Sequence, residues 1–190
     1  MGTTLLTFWE DRLLKIFETK IKDVKVMVPE VLRDERGEFF ESHRNSWLDN
    51  QHFVQENQSR SKKGTIRGLH YQLKNPQGKL VRVLTGEVFD VAVDLRKSSG
   101  TFGQWVGRIL NGSNKETFWV PPGFAHGFLV LSKTADLLYK CTNYYEPNDQ
   151  NVIRWNDPEI NIDWPLENHS LIISKNDASA VTLNAAQVFP

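Results

Sequence analysis

The segment TIRGLHYQ, residues 65–72, places an arginine and a histidine three positions apart, at Arg67 and His70. Its other residues are mostly β-branched, apolar or aromatic, which is typical of a strand. Residues three apart on a regular strand face opposite sides, but Gly68 permits a bulge that would turn one of them. His70 could be a buried core residue, a metal ligand or a general base, because imidazole has an unperturbed pKa of about 6.5.

Cationic side chains continue into the following segment. Lys79 is the first residue of the next predicted strand, and Arg82 lies three positions later in the same strand. A small barrel whose mouth holds arginine, lysine and histidine would suit an anionic ligand. The alternative is that these charged side chains lie at strand ends, are exposed to solvent and bind no ligand.

A metal site is the second interpretation of His70. The segment PPGFAH, which ends at His126, fits the pattern P-x-G-x-x-H and resembles the second motif of the cupin superfamily. The first cupin motif offers H-x-H followed by glutamate, whereas HYQLKNPQGK holds one histidine and no glutamate. Two histidines without a nearby carboxylate are too few for a metal centre. We therefore expect a cupin that has lost its metal and kept its pocket.

The elements that would position these residues are short strands. The segment EVFDVAVDLR alternates with period two, which places Val88, Asp90, Ala92 and Asp94 on one face. Turn signals separate seven or more such segments at intervals of about 8 to 12 residues, which predicts an all-β antiparallel sandwich or barrel, with a jelly roll foremost. The other segments are VKVMVPEVL, HFVQENQS, TIRGLHYQ, KLVRVLTG, QWVGRIL, ETFWVPPGFAHGFLVLS, ADLLYKCTNYY and NVIRWND.

Helical patterns are confined to the two ends of the chain. Residues 4–18 carry apolar side chains at helical spacing, so residues 1–23 are predicted to be a helical extension and residues 24–190 the barrel domain. Near the C-terminus, a short helix is predicted after residue 173, with Ser174 or Asp177 as its cap.

Composition limits the classes of partner and compartment. The 190 residues hold 23 basic and 23 acidic side chains, so net charge predicts neither nucleic acid nor an anionic membrane as partner. Cys141 is the single cysteine, which excludes a disulfide within the chain and fits a reducing compartment. No apolar run approaches the roughly 20 residues of a membrane span, and charges at positions 10–12 interrupt a signal-peptide core. We therefore expect a soluble, cytoplasmic protein.

Several motifs follow one another in an order that resembles the dTDP-4-dehydrorhamnose 3,5-epimerase family. They are DERGEFFES, QENQSRSKKGTIRGLHYQ, PQGKLVRVLTGEVFDVAVDLRKSSGTFGQW, PPGFAHGFLVLS, YKCTNYYEP and IRWNDPEINIDWP, within about residues 24–183. The resemblance implies a homodimeric cupin-like jelly-roll barrel with a few short peripheral helices and the active site inside. It also implies epimerisation at C3 and C5 of dTDP-4-dehydro-6-deoxy-D-glucose, to dTDP-4-dehydro-L-rhamnose, without metal or cofactor.

The resemblance assigns a role to each site residue. His70 would remove the proton beside the C4 ketone, Asp177 would orient it, Tyr139 would deliver a proton from the opposite face, and Lys79 would stabilise the enolate oxygen. The implied substrate-binding residues are Gln55, Asn57, Arg67, His126, Gln150 and Lys175, with Arg36 and Glu41 contributed by the partner subunit.

Two positions depart from the family pattern. Asn176 stands where the family has a lysine, with Lys175 one place earlier, and Gln150 stands where an acidic residue is common. Both concern ligand contacts more than the acid and base. They leave the nucleotide preference open. Two other functions also stay open: 3-epimerisation of a related dTDP-4-keto-6-deoxyhexose, which the same base and ketone would serve, and non-catalytic binding of a sugar nucleotide.

Overall fold

Strands dominate the computed structural model, which describes residues 14–48, 51–166 and 170–190. Helical structure in this part of the chain is limited to the short helix α1, Lys175–Ala178, and three 3₁₀ turns at Asn45–Leu48, Pro147–Asp149 and Leu183–Ala185. The strands are β1 Leu14–Glu18, β2 Lys25–Pro29, β3 Leu32–Asp34, β4 Gly37–Phe39, β5 Gln55–Lys62, β6 Thr65–Gln72, β7 Lys79–Thr85, β8 Glu87–Asp94, β9 Trp105–Asn111, β10 Thr117–Val120, β11 Phe124–Val130, β12 Thr134–Cys141, β13 Gln150–Val152 and β14 Ile172–Ile173.

Two sheets pack face to face in a cupin-like jelly-roll barrel, as predicted. The first has the order β1-β2-β10-β7-β12-β5, and the second has the order β13-β6-β11-β8-β9, with β14 added in parallel to β6. Val81 and Phe118 of the first sheet pack with Val88 and Phe128 of the second in one buried apolar cluster. Many neighbouring strands are distant in sequence, such as β10 and β2 or β12 and β5, so the barrel gathers remote segments around one interior.

The alternation predicted for EVFDVAVDLR is present in β8, but both of its faces are buried. Val88 and Ala92 pack between the sheets, whereas Val91 and Val93 pack on the opposite side. The polypeptide after β13 covers that outer face, with Trp164 as one contact. This covering explains why the strand carries apolar residues on both faces.

A bulge interrupts the pairing of β6 with β11, as the glycine in TIRGLHYQ predicted. His70 pairs with His126 and Arg67 pairs with Phe128, so three steps on β6 oppose two on β11. Gly68 has φ of +130°, and a Cβ atom there would lie 2.5 Å from Gly127 Cα. Glycine is therefore required at this position, and the extra residue turns Arg67 and His70 toward the same cavity.

The helix predicted over residues 4–18 is wrong where the structure describes it. Leu14–Glu18 form strand β1, which pairs antiparallel with β2 along its whole length. The spacing of apolar residues depends on this segment alone and carries no information about pairing with β2. Hydrogen bonding to β2 decides that the segment is a strand. Residues 1–13 of the predicted extension lie outside the described residues.

The predicted C-terminal helix is present as α1. Ser174 is its N-cap, and the Ser174 hydroxyl accepts a hydrogen bond from the backbone N–H of Asp177. Within the described ranges, no helix has the length and apolar character needed to cross a membrane.

Candidate active site

A cavity of about 440 Å³ opens between the two sheets at one end of the barrel. Its walls are polar and aromatic, in contrast to the apolar cluster that fills the rest of the interior. Its lining residues are Gln55, Asn57, Gln58, Ser59, Arg67, His70, Tyr71, Gln72, Gln77, Lys79, His126, Phe128, Tyr139, Tyr145 and Gln150.

Register places four of these side chains on one wall. On β12, Tyr139 pairs with Asn57 of β5, and Cys141, two positions along, pairs with Lys79 of β7 and Gln55 of β5. Residues two apart on a strand share a face, so all of these positions point the same way. Burial raises the pKa of Tyr139 above its ordinary value, which keeps its hydroxyl protonated near neutral pH.

The opposite wall carries a histidine–aspartate pair. His70 Nε2 lies 2.7 Å from Asp177 Oδ1, although the two residues are 107 positions apart. The His70 side chain is 31% exposed to the cavity, whereas that of Asp177 is 4% exposed. Burial would raise the pKa of Asp177, but hydrogen bonds from His70, the Ser174 hydroxyl and the Gly68 backbone outweigh it, so its pKa lies below the ordinary value. A charged carboxylate therefore backs the imidazole.

Polar contacts hold the remaining side chains at the mouth. The Arg67 Nε–H donates to the Ser61 hydroxyl at 3.1 Å, and the rest of its guanidinium borders the cavity. Gln55 donates from Nε2 to Asn57 Oδ1 at 2.9 Å. The hydroxyl of Tyr145 donates to Gln150 Oε1.

A second histidine–aspartate pair lies at the closed end of the cavity. His126 Nε2 is 2.8 Å from Asp90 Oδ1, and Asp90 is fully buried. Lys79 is also buried, and its Nζ lies 3.5 Å from the carbonyl oxygen of His70. Burial lowers the pKa of Lys79, and electrostatic interactions with the ionised forms of Cys141 and Asp90 oppose that effect only in part.

Among the described residues, no group of three or more histidine, cysteine, aspartate or glutamate side chains is arranged to hold a metal ion. The two histidines that suggested a metal are each paired with a separate aspartate. The site is thus a polar cavity with paired acid–base side chains and cationic groups around it.

Comparison with known proteins decides the family. The sequence profile described as dTDP-4-dehydrorhamnose 3,5-epimerase matches residues 18–185. The chain belongs to the dTDP-4-dehydrorhamnose 3,5-epimerase family. Members of this family are isomerases.

Relatives and solved structures agree with this placement. The chain is 49% identical over 182 residues to the family member of Pseudomonas aeruginosa, covering 93% of this chain and 100% of that protein. It is 51% identical over 167 residues to that of Neisseria gonorrhoeae, covering 86% of this chain but only 51% of that longer protein. A crystal structure of dTDP-6-deoxy-D-glucose-3,5-epimerase from Legionella pneumophila in complex with dTDP-4-keto-L-rhamnose superimposes with a TM-score of 0.88 at 52% identity, covering 92% of this chain and 95% of that one.

Most residues that the family resemblance singled out come together in the structure. His70, Tyr139, Lys79, Gln55, Asn57, Arg67, His126 and Gln150 line the cavity, and Asp177 lies directly behind His70.

Three predicted residues lie elsewhere. Arg36 is paired with Asp34 in the exposed β3–β4 turn, and Glu41 is paired with Arg44. Neither lines the cavity of its own chain. Lys175 is in α1, but it is Asn176, one place later, that borders the cleft beside His70 and Asp177.

Sequence reasoning missed Asp90 as a site residue. The signal was present, because a charged residue recurs on one face of the buried strand VFDVAVDL. Its partner His126 lies diagonally across the sheet: His126 pairs with Ala92, and Phe128 pairs with Asp90. That register could not be read from either segment alone.

Proposed function

We propose that this protein epimerises dTDP-4-dehydro-6-deoxy-D-glucose at C3 and C5, giving dTDP-4-dehydro-L-rhamnose. The observation that carries the proposal is the cavity in which the His70–Asp177 pair and Tyr139 occupy opposite walls. Inversion at a carbon needs a proton removed on one face and returned on the other, so two acid–base groups on facing walls suit it.

His70 acts as the base in this proposal. Its Nε2–H donates to the Asp177 carboxylate, which leaves Nδ1 with a lone pair for the substrate. Nδ1 takes the proton from the carbon beside the C4 ketone, and the electron pair of the broken C–H bond moves into the ring as the enolate. The negative charge of Asp177 then stabilises the imidazolium that forms.

Tyr139 acts as the acid from the other wall. Its raised pKa keeps the hydroxyl proton available. The hydroxyl delivers this proton to the opposite face of the same carbon, and the C=O bond at C4 re-forms. Solvent exchange then removes the proton from His70 and restores the one on Tyr139, so the cycle closes without a redox step.

Lys79 stabilises the enolate oxygen. Its ammonium group is buried at the cavity end and, among the described residues, makes one long hydrogen bond to a backbone carbonyl, so donors remain for an oxyanion. A positive charge in a water-poor site stabilises developing negative charge more strongly than it would in water.

The mouth of the cavity binds the nucleotide part of the substrate. The guanidinium of Arg67 suits the diphosphate, because planar paired donors match phosphate oxygens. Gln55, Asn57 and Gln150 supply amide groups at the same opening. Asn176 rather than Lys175 takes the place beside Asp177, so this contact is uncharged here.

The active assembly is a homodimer in which Arg36 and Glu41 complete the partner's site, and it works in the cytoplasm. Two observations support the homodimer. The β3–β4 hairpin projects with Phe39 72% exposed, and the Arg36 side chain is 86% exposed, so both are available to a second subunit. The absence of a disulfide partner for Cys141 fits a reducing compartment.

Deuterium uptake tests the reaction. The protein is incubated with dTDP-4-dehydro-6-deoxy-D-glucose in deuterated water, and proton NMR follows the C3 and C5 signals. We expect deuterium at both carbons with the wild type, none with His70→Ala, and wild-type rates with His52→Ala, whose histidine is exposed outside the cavity. No uptake at either carbon by the wild type refutes the proposal.

The same measurement separates the two alternatives. Deuterium at C3 alone would identify a 3-epimerase. Tight binding of the nucleotide sugar by the wild type, with no exchange at either carbon, would identify a binding protein. Binding by His70→Ala that equals the wild type, together with loss of exchange, would support catalysis by His70.

A further inference from the structure

We propose that Asp149 is a positioning residue for the nucleotide end of the substrate, whose carboxylate holds two loops together at the mouth of the cavity. The first mouth loop is residues 73–78, between β6 and β7, and the second mouth loop is residues 142–149, between β12 and β13. This role rests on the proposed function for the nature of the ligand, although the order of the loops can be measured without turnover. Asp149 does not line the cavity, so it acts through neighbouring residues that do.

The Asp149 carboxylate accepts hydrogen bonds from three consecutive backbone N–H groups of the first mouth loop. Oδ1 accepts from Leu73 at 3.2 Å and from Lys74 at 3.0 Å, and Oδ2 accepts from Lys74 at 3.0 Å and from Asn75 at 2.7 Å. Successive N–H groups that converge on one point form a site for an anion. A side chain of the second mouth loop occupies this site, so the two loops are tied to each other.

The negative charge of Asp149 is favoured although the residue is only 7% exposed. Burial would raise its pKa, but the hydrogen bonds from the three N–H groups outweigh burial and hold the pKa below the ordinary value. Hydrogen bonds to a carboxylate are stronger than those between neutral groups. An asparagine would offer one acceptor oxygen where three donors converge, so it could not replace the carboxylate.

Asp149 stands at the end of a strand ladder that leads from the mouth to His70. Gln150, the next residue, pairs with Gln72, and Val152 pairs with His70. Leu73 directly follows Gln72, so the bonds made by Asp149 extend the ladder one step beyond its last pair. Loss of these bonds would release the Gln150 end of β13 first and leave the His70 end paired.

Side chains of neutral residues complete the connection between the mouth loops. Gln72 is buried, donates to the Tyr144 carbonyl at 3.1 Å and accepts from the Glu146 backbone N–H at 2.8 Å. The Gln77 amide donates to the Asn143 carbonyl at 2.8 Å. These bonds align the loops, and the carboxylate adds the charged contact that is expected to be the strongest of the set.

The clamped loops carry side chains that line the cavity. Gln77 and Tyr145 lie on them, and Gln150 follows Asp149 directly. The Tyr145 hydroxyl donates to Gln150, and its backbone N–H donates to Gln55 Oε1 at 2.9 Å on β5. The second mouth loop therefore reaches across the opening. Loops that are already ordered bind a ligand without the entropy cost of ordering them, so the clamp should raise affinity for the nucleotide.

Calorimetric titration with dTDP is the experiment. We expect Asp149→Asn to bind dTDP about tenfold more weakly than the wild type, the change expected when one or two side chains must be ordered on binding. The matched control is Asp157→Asn. Asp157 is also a buried carboxylate that accepts from three backbone N–H groups, those of Glu159, Ile160 and Leu183, but it does not line the cavity.

Kinetics separate positioning from general stability. For Asp149→Asn we expect KM for the nucleotide sugar to rise about tenfold while kcat stays within about threefold, because His70 and Tyr139 are unaltered. Asp157→Asn should lower the melting temperature and leave KM and dTDP affinity unchanged. Wild-type affinity for dTDP in folded Asp149→Asn overturns the proposal, and so does an equal loss of affinity in both variants.

Backbone amide exchange, followed by NMR, tests the clamp independently. In the ligand-free wild type we expect the amides of Leu73, Lys74 and Asn75 to be protected, and in Asp149→Asn to lose that protection. If the variant does not fold, the wild type decides, because amides that exchange freely until dTDP is added would overturn the proposal and protected ones support it. Absence of dTDP binding by the wild type would instead refute the nucleotide part of the proposed function, and amide exchange would still decide the role of Asp149.

Discussion

Replacement of Asp177 by asparagine isolates the charge behind His70. The Asp177 carboxylate lies 2.7 Å from His70 Nε2 and is nearly inaccessible to solvent. Asparagine keeps the size and one acceptor oxygen, but it cannot stabilise the imidazolium that forms when His70 takes a proton. Its amide can also rotate and donate to the ring, which favours the wrong tautomer.

The magnitude follows from the type of bond that is lost. A hydrogen bond to a charged group contributes about 1.5–3 kcal/mol. Since about 1.4 kcal/mol corresponds to a tenfold change in rate, kcat should fall by about 10- to 150-fold. KM should change little, because Asp177 lies behind His70 and the loss occurs in the transition state. The acidic limb of the rate profile should move to lower pH, since the protonated ring loses its counter-charge.

The assay is deuterium uptake at C3 and C5, measured over pH 5 to 9, with nucleotide binding followed by calorimetry. Ser174→Ala is the control, because it removes the N-cap of α1 and leaves the carboxylate in place. It should lower stability by about 1 kcal/mol and reduce kcat by less than Asp177→Asn does. A folded Asp177→Asn protein with kcat within twofold of the wild type would refute the role of the charge.

Three further predictions concern Tyr139 on the other wall, the bulge at Gly68 and the buried carboxylate of Asp94 at the end of β8. Tyr139→Phe should bind dTDP as the wild type does but lose most of its epimerase activity. Deuterium exchange should fall more at one of the two carbons than at the other. Turnover equal to that of the wild type would remove Tyr139 from the mechanism. Gly68→Ala should destabilise the fold by about 2–4 kcal/mol in urea unfolding, because its Cβ would meet Gly127 backbone at 2.5 Å and φ is +130°, and an unchanged midpoint would contradict this. Burial alone would raise the pKa of Asp94, yet hydrogen bonds from Arg96 and two neighbouring hydroxyls lower it from 3.8 to about 2. Asp94→Asn should therefore cost about 2 kcal/mol above pH 4, and the difference should vanish as pH falls through 2, whereas a constant difference across that range would argue against the charge.

Much of the fold was accessible from sequence because its signals are local. Alternation in EVFDVAVDLR and the spacing of turn residues depend on a few consecutive positions, and they predicted strands and an antiparallel barrel. Gly68 also acts locally, since only glycine accepts its backbone conformation and close contact with β11. The strand at Leu14–Glu18 escaped prediction because it is an edge strand, formed by pairing with β2 and not by its own periodicity.

The sequence by itself determined which acid–base side chains the protein has, and the family resemblance predicted the pairing of His70 with Asp177. Only the tertiary structure brought Asp90 next to His126, buried Lys79 at the end of the cavity and put Asn176 rather than Lys175 at the cleft beside His70. These relations depend on register between strands and on which sheets face each other. A linear pattern specifies the face of each strand, but contact across the barrel exists only once both sheets have closed.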